Sequence, residues 1–363
     1  MSSTQKPIRD SQRPALRVWV LSDKKPGHFN QSRGVVRSLE NSFDVTTDWI
    51  NLRMRFNGHR RSLTWLLNGT QTGWDPARLS WFYSIDTLPT DRPDLIISAG
   101  GNTLYANAWL ARSLNVANIF IGDIRRLAPH HFSKVITWLD DREGEPFLRW
   151  PMTPVPVLPD EAAQAGETFR QKHCPGEEQL WTLLIGGDGG GYTYDEQDWR
   201  QLAEFLQDAA SHQGIRWLVV TSRRTGVPAE HLLKDAFDPT FIAYQSFYSM
   251  ERSAGYLGCL GAASRVFCTE DSHMMLTESI SAAKPTYSLR PRRSHTHWTN
   301  QRYLDAYVGN GHLIQMDIET ASEQLRESSP PQPMTDGPLY RLGELLREWW
   351  TQQSKQTPTR WAG

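Results

Sequence analysis

Cysteine is scarce in this chain. Its 363 residues hold three, Cys174, Cys259 and Cys268. That is an odd number with no Cys-x-x-Cys pair, which speaks against a disulfide framework or a cysteine zinc site. A reducing compartment, the cytoplasm, is the expected setting. Long apolar runs are missing too, so no segment is expected to span a membrane. The opening residues are polar, carry Pro7 and Pro14, and lack the apolar core of a signal peptide. Charge of one sign is absent: 39 Lys and Arg face 40 Asp and Glu, for a net charge of -1. Global charge therefore gives no case for nucleic-acid binding.

Several catalytic signatures are also lacking. No Asp-x-Asp motif occurs, so no paired carboxylate of that kind is on offer for a divalent ion. The glycine cluster Gly186-Gly187-Asp188-Gly189-Gly190-Gly191 fails as a dinucleotide fingerprint at Tyr192. It fails as a phosphate loop because Tyr192-Thr193 stands where Lys and Ser/Thr belong. No Tyr-x-x-x-Lys pair exists, which argues against epimerase or dehydrogenase chemistry of the short-chain type.

What is present is strand–helix alternation over a length that suits two domains. Short apolar strands are expected over 17–23, 44–52, 93–98, 118–122 and 135–139, then over 180–185, 216–220, 266–268 and 286–289. Helices are expected over 31–39, 103–114, 195–212, 249–261 and 339–350. Pro151, Pro154, Pro156 and Pro159 mark a linker. The expected division is 1–155, 156–338, and a last helix and tail over 339–363 that packs back on the first domain. The fold class is α/β: two Rossmann-like domains, expected to face a cleft.

Four places could carry chemistry. After the first strand, the polar stretch 22–30 holds Asp23, Lys25, Gly27, His28 and Asn30. Ligands of open α/β sheets bind at that end, and His28 could act as a base; an exposed turn fits the same residues. Gly100 and Gly101, followed by Asn102, come after another strand and could bring backbone amides to a ligand; a plain tight turn fits as well. Ser222-Arg223-Arg224-Thr225 ends a strand as a possible diphosphate clamp. Thr269-Glu270-Asp271-Ser272 precedes a helix bearing Glu278, whose free amides suit an anion. An ordinary βα unit with a surface glutamate is the plainer reading. Gly187 belongs to the glycine loop. Arg292 lies in a basic loop over 290–295, expected to meet an anion.

Residues 53–83 stand apart. Arg53, Arg55, His59, Arg60 and Arg61 interleave with Met54, Phe56, Leu63, Trp65, Leu66, Leu67 and Trp74. Such a mixture suits docking at a membrane surface; an insertion packed inward is the alternative.

Thr269-Glu270-Asp271-Ser272, Glu278 and Lys284-Pro285 resemble the nucleotide-sugar site of GT-B glycosyltransferases. Together with Leu21-Ser22-Asp23-x-Lys25-Pro26-Gly27-His28-x-Asn30-Gln31-Ser32 and Ser222-Arg223-Arg224-Thr225, they resemble the mitochondrial fission Elm-like family across roughly 17–310. The resemblance implies a GT-B fold and a metal-independent glycosyltransferase using a nucleoside-diphosphate sugar, with no further cofactor. It implies an acceptor that is a membrane glycolipid or cell-surface glycan precursor, on the inner face of the membrane. Glu278 would bind ribose, and Arg223 and Arg224 the diphosphate. Ser272 and the helix start would add amides. His28 or Asp23 would be the base; Lys25, Gly27, Asn30, Gln31, Gly100, Gly187, Ser222, Thr225, Glu270, Asp271 and Arg292 would line the site. The family's fission label implies another possibility, a non-catalytic membrane-associated scaffold.

Overall fold

The computed structural model describes residues 13–69, 74–139, 142–177, 179–250, 255–295 and 298–356. The chain forms two compact units, Met1–Pro156 with Leu339–Gly363, and Val157–Pro338.

The first unit opens with β1 (Ala15–Ser22), α1 (Pro26–Leu39), β2 (Asp44–Met54), α2 (His59–Gly69) and β3 (Tyr83–Ile85). It continues through β4 (Leu95–Ala99), α3 (Leu104–Leu114), β5 (Ala117–Ile121), β6 (Lys134–Thr137) and β7 (Phe147–Arg149). Its sheet has the order β3-β2-β1-β4-β5-β6-β7. All pairs are parallel except β2 with β3. β1 is central because Val18, Trp19, Val20 and Leu21 are all buried, as a strand covered on both faces requires. The chain leaves β1 toward β2 and later returns to β4 on its other side. The carboxyl ends of β1 and β4 are thus a switch point, where open sheets bind ligands.

The second unit runs from α4 (Pro159–His173) through β8 (Leu180–Ile185), β9 (Tyr192–Thr193), α5 (Glu196–Gln213), β10 (Arg216–Thr221), α6 (Val227–Ala236) and β11 (Ile242–Ser246). After these come α7 (Tyr256–Ala262), β12 (Arg265–Thr269), α8 (His273–Ser281), β13 (Thr286–Arg290), β14 (Arg293–Ser294), α9 (Trp298–Gly309), β15 (Leu313–Asp317) and α10 (Ala321–Glu327). Its main sheet, β11-β10-β8-β12-β13-β15, is parallel throughout. Phe267 lies at its centre, stacked on Tyr287 at 4.4 Å and on Trp181 at 5.4 Å between ring centroids. The switch point falls at β8 and β12.

The last helix, α11 (Pro338–Gln356), buries Leu342, Leu346 and Trp349. Gly343 approaches α1 so closely that a Cβ there would stand 2.2 Å from the Ser38 carbonyl oxygen.

Three expectations change. The stretch 22–30 is not all loop: Pro26 occupies the first turn of α1, where its fixed φ and missing N–H are no cost. Gly27, His28 and Asn30 are therefore helical. The proline-rich linker gives way at Pro159 to α4, a helix not expected from the sequence. The helix expected over 249–261 is seen from Tyr256 to Ala262, and 251–254 lie outside the described residues, as do 1–12, 70–73 and the tail over 357–363.

Candidate functional site

At the end of β1 the chain places Asp23 and His28 together. His28 Nδ1 is 3.0 Å from both Asp23 carboxylate oxygens. Asn102 Nδ2 donates to Asp23 Oδ2 at 3.0 Å and the Lys25 amide to Oδ1 at 3.2 Å. Burial raises the Asp23 carboxyl. The hydrogen bond and charge of His28, with the Lys25 amide and Asn102, outweigh it and hold the group below its ordinary value. An ionised carboxylate only accepts, so Nδ1 carries a proton, and in the neutral ring Nε2 is the nitrogen with the lone pair. That is the tautomer a general base needs.

Gly100 makes this arrangement possible. It adopts φ +83°, and a Cβ there would lie 2.2 Å from His28 Cε1. The amide expected to meet a ligand instead donates to the Ile121 carbonyl at 3.4 Å, so Gly100 serves by leaving room rather than by donating. Asn102, which the sequence reading gave no role, connects outward: Arg60 Nη2 donates to its Oδ1 at 2.9 Å. Lys25 caps α1 and is exposed, and Asn30 and Gln31 lie half-buried one turn further on.

In the second unit the glycine loop is pinned rather than free. Gly189 and Tyr192 exchange backbone hydrogen bonds, and β9 pairs with β14. The Gly187 amide donates to Asp271 Oδ2 at 3.1 Å. A Cβ on Gly187 would stand 2.1 Å from the Arg224 carbonyl oxygen, so the loops after β8 and β10 touch through it.

Most of the residues expected to hold a ligand have internal partners. Glu270 is fully buried and accepts from Tyr192 Oη, Ser288 Oγ, Arg290 Nε and Gln315 Nε2 at 2.7–3.1 Å. Four donors satisfy a charge that could not otherwise be buried. Asp271 pairs with Arg224 at 2.6 Å and accepts from Tyr194 Oη at 2.9 Å. Burial lifts its carboxyl above the ordinary value despite Arg224. Thr225 Oγ1 donates to the Ile185 carbonyl and Ser222 Oγ to that of Gly186, closing the loop. Arg292 reaches Asp195 at 2.7 Å and Asp198 at 3.2 Å. Its neighbours form strand β14, so this basic stretch is tied down by strand pairing and ion pairs.

Two expectations at α8 are revised in the same way. Ser272 stands at the N-cap but makes no side-chain cap bond. The Thr269 and Asp271 oxygens turn to Gly186 and Gly187 instead of capping the helix. The helix start thus lacks a side-chain cap. His273, passed over in the sequence, is the first residue of α8; neither ring nitrogen has a partner, and burial lowers its pKa to about 4. Glu278 is buried, with Oε2 accepting from Tyr256 Oη at 2.7 Å. Arg223 is exposed in the loop after β10.

Around α2 the mixed basic and aromatic stretch is divided. Leu63 and Leu67 are buried, whereas Phe56 (67 %), Trp65 (75 %) and Trp81 (68 %) stand exposed. Among the described residues no helix is long and apolar enough to cross a membrane.

Two Rossmann-type units, each a parallel sheet with helices between its strands, define a GT-B-like α/β fold. The chain belongs to the family described as mitochondrial fission ELM1, whose profile matches residues 26–336. An uncharacterised protein of Rickettsia prowazekii, RP120, is 26% identical over 76% of this chain and 84% of its own length. Among solved structures, UDP-GlcNAc 2-epimerase from Methanocaldococcus jannaschii is similar with a TM-score of 0.56 at 14% identity, covering 92% of this chain and 100% of that one. MnaA of S. aureus in complex with UDP is similar with a TM-score of 0.55 at 9% identity, covering 95% and 99%. At such identities the likeness is one of fold.

Proposed function

We propose that the protein is a glycosyltransferase that moves a sugar from a nucleoside-diphosphate sugar to a membrane glycolipid or cell-surface glycan precursor. The observation that carries this reading is the Asp23–His28 pair at the end of β1, where Nε2 is left to take the proton of an acceptor hydroxyl. Supporting it, the solved structures of similar fold include MnaA in complex with UDP and a UDP-GlcNAc 2-epimerase. The second unit takes the nucleotide. Glu278, its carboxylate oriented by Tyr256, accepts from the ribose hydroxyls. Arg223 and the uncapped start of α8 meet the diphosphate, with Arg224 beside them. The leaving diphosphate is stabilised by these cationic and amide groups, and no divalent ion is required. Phe56 and Trp65, with Arg55 and Arg61, dock the first unit at an anionic membrane surface, and the protein works on the cytoplasmic side.

The test is calorimetric titration with UDP and uridine, followed by product analysis with UDP-sugars. A hydrogen bond to a charged group contributes about 1.5–3 kcal/mol, so Glu278→Ala should weaken both ligands roughly 10- to 100-fold. Arg223→Ala should weaken UDP more than uridine. Because Glu278→Ala also strips Tyr256 of its acceptor, Glu278→Gln serves as the folded control. Donor turnover should survive a chelator. Wild-type protein that binds no nucleoside diphosphate would support a non-catalytic scaffold instead, and an epimerised donor without transfer would replace the reaction class.

A further inference from the structure

The surface beside α2 forms a groove of about 850 Å³ lined by Arg60, Arg61, Arg125 and Arg126, together with Trp65 and Tyr105. No acidic side chain lines it. Among the described residues none of the four guanidiniums lies within ion-pair distance of a carboxylate. The nearest acid in sequence, Asp123, is occupied: it accepts from the Arg125 amide at 2.8 Å and pairs with Arg142 at 3.7 Å. Four like charges gathered without counter-charge among the described residues repel one another, an arrangement that an anionic ligand relieves. Arg60 adds a second sign, because its Nε is buried with no hydrogen-bond partner. The groove is also tied to the Asp23–His28 pair. Arg60 Nη2 donates to Asn102, and Asn102 donates to Asp23. Arg125 lies against the same turn: a Cβ on Gly101 would stand 2.6 Å from its Nη2.

We infer that this groove binds the phosphate of a phosphorylated sugar acceptor. Guanidinium forks match phosphate oxygens in pairs. Trp65, 75 % exposed, supplies a flat apolar face on which a sugar ring rests. Arg60 is then a positioning residue: a phosphate drawn to it bears on Asn102 and so on the orientation of Asp23 and His28. The inference rests on the transfer reading and adds to it that the acceptor is anionic.

The experiment uses the whole chain and an arginine-selective dicarbonyl reagent, with modification of each arginine read by mass spectrometry. The probes are glucose 6-phosphate, glucose, UDP, and phosphatidylcholine vesicles with and without phosphatidic acid. Glucose 6-phosphate should protect Arg61, Arg125 and Arg126, while glucose should not. Arg125→Gln and Arg126→Gln change exposed side chains and should leave the fold intact. Each should weaken glucose 6-phosphate by about tenfold, from the loss of one charge-assisted hydrogen bond. Protection by glucose 6-phosphate supports the inference; protection by phosphatidic acid vesicles alone overturns it and assigns the groove to membrane docking. Absence of protection by both overturns the inference. UDP protection of Arg223 is read in the same samples. Groove protection without it supports the groove and sinks the donor reading, and the reverse result sinks the groove alone.

Discussion

In the second unit Arg224, Arg290 and Arg292 each reach a buried carboxylate, at 2.6, 2.7 and 3.2 Å. In the first unit Arg60, Arg61, Arg125 and Arg126 reach none among the described residues. By motif the ranking would be reversed: a strand-terminal Arg-Arg pair and a basic loop look like phosphate ligands, and an arginine-studded helix looks like a membrane contact. The physical reason for the difference is burial. Glu270, Asp271 and Asp198 are charges held inside the fold, and each needs a cation or several donors beside it. Arginines drawn to them hold the loops after β8, β10, β12 and β13 together. The groove arginines meet no such demand and remain available.

The comparison breaks most visibly at Glu270. Removing one partner of a buried ionic network costs about 3–5 kcal/mol, so Glu270→Ala should lose that much stability in urea unfolding. If Glu270→Ala keeps wild-type stability yet loses nucleotide binding, the residue is a ligand contact after all. Arg61→Ala, in the first unit, should be neutral within about 0.5 kcal/mol.

Next comes turnover. His28→Ala should slow transfer by about 10²- to 10⁴-fold, the range of a general base, with UDP affinity unchanged. Asp23→Asn should slow it too, because the amide no longer favours the Nδ1–H tautomer. A variant of His28 with undiminished rate would remove the base from this pair.

Acid should act on both units through buried histidines, His273 in the second and His131 beside His130 in the first. Burial brings His273 and His131 down from 6.5 to about 4. The unfolded chain therefore binds protons first, and stability falls as pH drops from about 6.5 to about 4 and levels below that. The full loss is roughly 3 kcal/mol for each. Urea midpoints at pH 7, 6 and 5 should decline, with a shallower slope in His273→Gln. An unchanged slope in that variant would show that His273 titrates normally.

The smallest expected effect is at the membrane. Wild type should sediment with anionic vesicles and release as salt rises, since screening acts beyond about 10 Å at 0.1 M. Trp65→Ser should weaken this, and equal recovery from neutral and anionic vesicles would exclude docking.

How much of this was legible in the sequence follows the same divide between local and distant causes. β1, β8 and β12 were legible because a strand buried on both faces must be apolar throughout. The Asp195 start of α5 was legible because its cap and capping box are written within three residues. Asp23 and His28 were both singled out, but not their contact, which depends on Pro26 starting the helix early enough to turn His28 back. Whether an arginine was spoken for was not legible at all. Arg292 finds Asp195 across 97 positions, and Arg290 finds Glu270 only after β13 has paired with β12. Asn102 gave no signal, since an asparagine after two glycines reads as a turn.

Gly343 sets a timetable for synthesis. Its backbone rests on Ser38 of α1, so the last helix covers a surface built from the first. A chain emerging from the ribosome exposes that surface while the whole of Val157–Pro338 is made and folds. At about 5–20 residues per second that interval is roughly 10–40 s. The unit begun first is thus the one finished last, and the face of α1 that receives Gly343 stays uncovered until then.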